Sequence, residues 1–225
     1  MDDYVGLVLE RDVEELSRIR LAEALPRLLA RLAGQTAQVL NMAKVAEACE
    51  LENTTAHGYL RLLEAVFLIH KLPAWGRNLR SRSSKRPKVH VTDSGVAARL
   101  MRVSPEKLAR KDEAALADLG HLLETFVVGE ILKQASWMDR VTGTGHWRTH
   151  DGDEVDLVIE LDDGRILGFE VKASARANDA TLRPMRKLRD AAGESFAGGV
   201  VLNLGEHSTV TRDGIRVMPV DQLWA

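Results

Sequence analysis

The stretch from Gly152 to Ser174, GDEVDLVIELDDGRILGFEVKAS, constrains the fold of this chain more than any other. It reads as two apolar strands, residues 154–161 and 165–174, joined by Asp162-Asp163-Gly164, which supplies a tight turn. Strands this apolar are expected to be buried. Yet one arm carries Glu154 and Asp156, and the other carries Glu170 and Lys172. Residues two apart on a strand face the same side, so an antiparallel pair brings all four to one patch. Two carboxylates close together repel, and burial raises the cost of ionising them. A divalent cation offsets that cost. Mg²⁺ takes oxygen ligands and keeps several of its waters, and a lysine beside it can position a water or stabilise charge on a phosphate. The patch therefore suits phosphodiester hydrolysis. The plain structural alternative is a surface hairpin with a cross-strand Glu–Lys pair.

The surrounding elements are read from periodicity. Residues 11–35 have helical spacing with Pro26 as a break, and MAKVAEACE at 42–50 is a short amphipathic helix. Asn53 or Thr54 caps a helix whose apolar positions include Tyr59, Leu62, Leu63 and Val66. FLIHKL (67–72) and PKVHVTD (87–93) are strands flanking a basic, Ser-rich loop, followed by short helices at 94–101 and 105–111. A long helix at 112–135 precedes three strand segments, the first being GHWRTH at 145–150. Then come a helix at 181–193, with Pro184 in its first turn, and strands at 197–205 and 214–220.

Charge divides along the same line. Residues 1–112 carry 19 Lys/Arg against 14 Asp/Glu, and the rest carries 12 against 19, within a net charge of −2. Two modules are expected, residues 1–110 and 111–225, the second with an α/β pattern inside an α+β whole. A basic front half is compatible with nucleic acid. Cys49 is the single cysteine, which excludes an internal disulfide and points to a reducing, cytoplasmic setting. No apolar run approaches a membrane span, so no membrane partner is expected.

Residues 42–92 read as helix, turn, helix, hairpin, the order of a winged helix. Its groove-facing candidates are Thr54, Thr55, His57 and Arg61. In the wing, Arg77, Arg80, Arg82, Lys85, Arg86 and Lys88 would neutralise phosphates of DNA. The other uses of such a segment are a solvated basic loop or a protein-contact surface. His146, His150, Trp75, Trp147 and Cys49 get blander readings: surface histidines, packing tryptophans and a core thiol.

Glu124 in the long helix, Asp156, and Glu170-Val171-Lys172 together resemble the PD-(D/E)XK nuclease superfamily, also called restriction-endonuclease-like. The resemblance implies a helix, a three-stranded meander, a helix and a further strand, in a central mixed sheet flanked by helices. It implies catalytic Glu124, Asp156, Glu170 and Lys172, with Mg²⁺ (or Mn²⁺) on the three acids. Val155 stands where the superfamily's proline would be, and residues 181–193 lack the glutamine some members place there. LERDVEEL, YLRLLEAVFLIHKLPAWGRN, PKVHVTDSG, LLETFVVGEIL and the acidic hairpin also resemble, in order, segments of a large prokaryotic family. In that family a winged helix and a nuclease-like domain of unknown function follow an AAA-type ATPase. The chain itself has no Gly-x-x-x-x-Gly-Lys-Ser/Thr loop, so no nucleotide hydrolysis is expected of it. The expectation is a metal-dependent DNA nuclease, with a homodimer as its expected assembly. The alternative is a non-catalytic nucleic-acid-binding or assembly module on the same fold.

Overall fold

The computed structural model describes residues 24–76 and 86–225. Its described residues are mixed α/β and divide into two compact units: residues 24–71 with Arg86–Thr125, and residues 72–76 with Phe126–Ala225.

In the first unit, α1 (Ala24–Ala33) buries Leu25, Leu28, Leu29 and Leu32, the i, i+3, i+4, i+7 stripe of an amphipathic helix. Pro26 lies in its first described turn. The helix α2 (Met42–Ala48) is capped by Asn41, whose side chain accepts the Lys44 N–H. Next, α3 (Asn53–Ala65) buries Ala56, Tyr59, Leu60 and Leu63 at the same spacing. Its N-cap is Glu52, with no side-chain cap bond, so neither Asn53 nor Thr54 caps it. Strands β1 (Gln38–Val39), β2 (Ile69–Leu72) and β3 (Lys88–Val91) form a small sheet in the order β1-β3-β2. Two short helices follow. Asp93 caps α4 (Ser94–Leu100) through Gly95 and Val96, and Ser104 caps α5 (Pro105–Ala109), with Pro105 opening it.

The division between the units falls inside the long helix α6 (Glu113–Ala135). The second unit then holds β4 (Val141–Arg148), β5 (Glu154–Leu161), β6 (Ile166–Lys172), α7 (Asp179–Ala192), β7 (Phe196–Asn203), β8 (Thr209–Val210) and β9 (Arg216–Pro219). Its six-stranded mixed sheet runs β4-β5-β6-β7-β9-β8. The first three strands are an antiparallel meander; β6, β7 and β9 are parallel. The meander turn is held by Arg165, whose N–H groups bond Asp163, and by Gly164 at φ 79°.

Helix α7 covers the sheet with Leu182, Met185, Leu188 and Ala192. It comes close because Gly168 and Gly199 carry no side chain there. A Cβ on Gly168 would stand 2.7 Å from Met185 Sδ and 2.9 Å from Leu188. The helix starts earlier than its periodicity suggests, since the Asn178 side chain accepts the Thr181 N–H. Pro184 therefore sits beyond the first turn. Strand β4 also begins earlier than expected, and the two-residue β8 carried no periodic signal. Trp75 and Trp147 are core residues of this unit, and Cys49 is buried in the core of the first. His146 is buried at 2 % exposure rather than on the surface, because its backbone exchanges hydrogen bonds with Pro73 and Trp75. His150 is exposed.

Gly145 shows the same close approach against backbone. A Cβ there would lie 2.7 Å from Pro73 O and 2.9 Å from Trp75 N. Gly145→Ala should cost about 2–3 kcal/mol by urea denaturation, because backbone cannot move aside as a side chain can. Gly129→Ala, with nothing within 4 Å, should instead stabilise by about 0.5–1 kcal/mol through helix propensity.

Candidate functional site

The acidic hairpin is buried, as its composition suggests. Val155, Leu157, Val158, Ile159, Ile166 and Val171 are core residues, Asp156 is 5 % exposed and Glu170 is 2 % exposed. Alternation along β5 breaks near its start. Gly145 pairs with Val158 and Trp147 with Val155, so two steps along β4 match three along β5. This is a β-bulge at Asp156–Leu157. It lets Val155 and Val158, three apart, both enter the same core.

The β5–β6 ladder ends at Leu157↔Phe169. One residue further, the Asp156 side chain takes over from the backbone: the Val171 N–H donates to Asp156 Oδ2 at 2.9 Å. The Asp156 carboxylate is thus lodged against the middle residue of Glu170-Val171-Lys172. Lys172 Nζ stands 2.5 Å from Glu170 Oε1, with the lysine side chain 40 % exposed and the glutamate 2 %. Glu154 faces Arg148 across β4–β5 at 3.6 Å. Asp156, Glu170 and Lys172 are therefore gathered where the strands part. The two acids are hard oxygen donors of the type Mg²⁺ or Mn²⁺ takes, and Mg²⁺ is commonly held by only one or two carboxylates with waters. Among the described residues no three His, Cys, Asp or Glu side chains form a metal cluster.

Glu124 belongs to the first unit. Its Oε1 accepts from Lys88 Nζ at 2.5 Å, with Lys88 1 % exposed. Lys88, expected on a phosphate-binding wing, is thereby committed to an interior ion pair. Next to it, Thr125 Oγ1 contacts Thr36 Oγ1 (2.8 Å) and His90 Nδ1 (3.2 Å), and Thr36 Oγ1 accepts the Val91 N–H. On α3, Thr54, His57 and Arg61 are exposed, at spacings of three and four that share one helix face, while Thr55 is half-buried. Glu64 is neutralised by Lys71 at 2.8 Å. Arg86 is exposed. Arg77, Arg80, Arg82 and Lys85 lie outside the described residues.

The sequence reading missed Asp153. It is 5 % exposed and receives Lys187 Nζ at 2.5 Å and Arg183 Nε at 2.8 Å, both from α7. The Lys187 hydrogen bond, then that of Arg183, holds its pKa below the usual carboxylate value. Arg183 and Lys187, four apart on one helix face, were the available signal.

The comparisons with known proteins divide the chain in two. Residues 1–107 match one domain of unknown function, DUF8612, and residues 119–223 match another, DUF4143. The uncharacterized proteins Mb2031c of Mycobacterium bovis and Rv2008c of Mycobacterium tuberculosis are each 29 % identical over 223 residues. These alignments cover 99 % of this chain and 47 % of either relative, so the chain spans about half the length of the curated relatives it matches. The crystal structure of protein VC1899 from Vibrio cholerae aligns over 98 % of this chain and 52 % of that one, at 14 % identity and a TM-score of 0.36. No described helix is long and apolar enough to cross a membrane.

Two stability predictions follow from these ion pairs. Glu124→Ala leaves a buried ammonium poorly compensated and should cost about 3 kcal/mol in denaturant unfolding, whereas Lys88→Met with Glu124→Leu should stay within about 1 kcal/mol of wild type. Asp153 has a depressed pKa in the folded state. It therefore stabilises the fold above its unfolded pKa and ceases to as pH falls through the folded value. Asp153→Asn should melt below wild type at neutral pH, and the two melting temperatures should converge in strong acid.

Proposed function

We propose that the second unit is a divalent-metal-dependent nuclease of the PD-(D/E)XK kind acting on DNA, and that the first unit is a winged-helix-like module that engages the DNA. The observation that carries the reading is the buried Asp156 carboxylate seated against Glu170-Val171-Lys172. An antiparallel meander, a covering helix and a parallel strand, in that order after a long helix, support it. The exposed stripe of Thr54, His57 and Arg61 on α3 supports the DNA-facing role of the first unit.

In this reading Asp156 and Glu170 hold Mg²⁺ or Mn²⁺. When bound, such an ion acidifies a water and neutralises charge on the phosphate. The chain's own contributions are separate. The Val171 N–H fixes one oxygen of Asp156 and so orients the carboxylate. Lys172, part exposed, presents its ammonium beside Glu170, where it stabilises negative charge building on a phosphate. The apolar residues around the acids keep the site at low dielectric, which strengthens both effects. The resemblance makes an AAA-type ATPase domain the companion of these units, and two copies would serve the two strands of a duplex.

A second reading is favoured by the same contacts. Lys172 on Glu170 and the Val171 N–H on Asp156 give both acids a partner from within the chain. A non-catalytic nucleic-acid-binding or assembly module needs no more than that.

Incubation of the protein with plasmid and single-stranded DNA separates the two. With Mg²⁺ or Mn²⁺ the wild type should cleave, and EDTA should stop it. Asp156→Asn and Lys172→Ala, both folded by circular dichroism, should each be slower by at least about 100-fold. A folded wild type that retains DNA binding but does not cleave with either metal would move the assignment to the second reading. Glu124 variants are poor probes here, since their loss of stability would mimic a loss of catalysis.

A further inference from the structure

Strands β6, β7 and β9 are parallel, so their carboxyl ends lie along one edge of the sheet. Crevices at such edges are where α/β sheets take ligands. A pocket of about 540 Å³ lies there in the second unit, lined by the chain that follows β6 and by the chain that follows β7. That volume is in the ordinary range for a small-molecule site.

The side chains around it fall into three kinds. Asn203, the last residue of β7, is 3 % exposed. Its Oδ1 accepts the Gly205 N–H at 3.0 Å, and its amide nitrogen has no partner among the described residues. That nitrogen is the donor that Asn203 can offer to a ligand acceptor. Arg176 and His207 are exposed on the lining, and Arg176 makes no ion pair among the described residues. Leu182 and Leu204 contribute apolar surface, and Glu206 supplies an acceptor. Cation, amide donor, apolar wall and acceptor together match phosphate, sugar or base edge, base face and base N–H.

The register ties this pocket to the acidic site. Lys172 and Asn203 are direct neighbours on β6 and β7, and partners in a parallel ladder project from the same face. We propose that this pocket is a mononucleotide subsite: it holds one nucleoside phosphate of the strand being cut, with Arg176 on the phosphate and the Asn203 amide donating to the base or sugar. The inference rests on the nuclease reading for its biological use, since it places the nucleotide next to the phosphate that Lys172 would face. Asn203 is a binding residue here and takes no part in proton transfer.

The test is calorimetric titration of the full chain in EDTA with thymidine 5′-monophosphate, thymidine and inorganic phosphate. Absence of metal keeps cleavage out of the measurement. The nucleotide should bind, with thymidine and phosphate each weaker by at least about tenfold, a difference worth about 1.4 kcal/mol. Arg176→Gln should bring the nucleotide close to thymidine. Asn203→Asp keeps the acceptor for Gly205 but removes the amide donor, and should weaken the nucleotide by about tenfold or more. Failure of the folded wild type to bind the nucleotide would overturn the proposal. So would both variants binding as wild type does, or phosphate binding as tightly as the nucleotide. A protein that cleaves DNA but does not bind the nucleotide loses only the subsite. One that binds the nucleotide but never cleaves keeps the subsite and loses the nuclease reading.

Discussion

Two neighbouring strands of a sheet cannot separate without stranding backbone donors, and the second unit is organised around how that is avoided. Where β5 and β6 stop pairing, Asp156 offers its carboxylate in place of the missing carbonyl and satisfies Val171. A buried N–H left without a partner would cost as much as a lost hydrogen bond. The solution places an acid in the interior, beside a second acid, Glu170, and a lysine that balances it. The bulge in β5 is part of the same solution, because it turns Asp156 out of alternation while Val155 and Val158 both remain in the core.

The same economy of space governs the opposite elements. Gly168 and Gly199 let α7 settle on the sheet, with Met185 filling what their side chains would have occupied. That helix then reaches Asp153 with Arg183 and Lys187. A single helix thus packs with one stripe and neutralises a buried acid with another. In the first unit the logic differs. There β3 packs Val89 into a leucine-rich core, while Lys88 and His90 make polar contacts with Glu124 and Thr125. Polar pairs of this kind are demanding, since each member is costly if its partner is lost.

Much of the architecture could be read from residue pattern alone. Apolar spacing of three and four located α1 and α3, a long stretch apolar on more than one face located α6, and the DDG turn located the hairpin, because local geometry and burial act directly on residue pattern. Asp156, Glu170 and Lys172 stood out because charges in an apolar hairpin are expensive, and the contacts among them in the structure are local to that hairpin. Caps were harder. Asn178 starts α7 two residues before its periodic stretch, and Glu52 precedes α3 without a side-chain bond; apolar spacing carries no information about either.

What the tertiary structure alone decided concerns groups whose partners are far away in the chain. Lys88 and Glu124 meet across 36 residues, so a lysine that composition assigns to a basic loop is an interior group. Asp153 reads as one more turn acid until α7 packs over it. His146 is buried because residues 73–75 bond its backbone, a pairing that no local pattern encodes. Asn203 looks like a polar flaw in an apolar strand until the parallel register sets it beside Lys172 at the mouth of a pocket. Sequence determined which residues were chemically expensive to bury. Packing between distant segments decided which of them are satisfied within the chain and which still have a donor to offer.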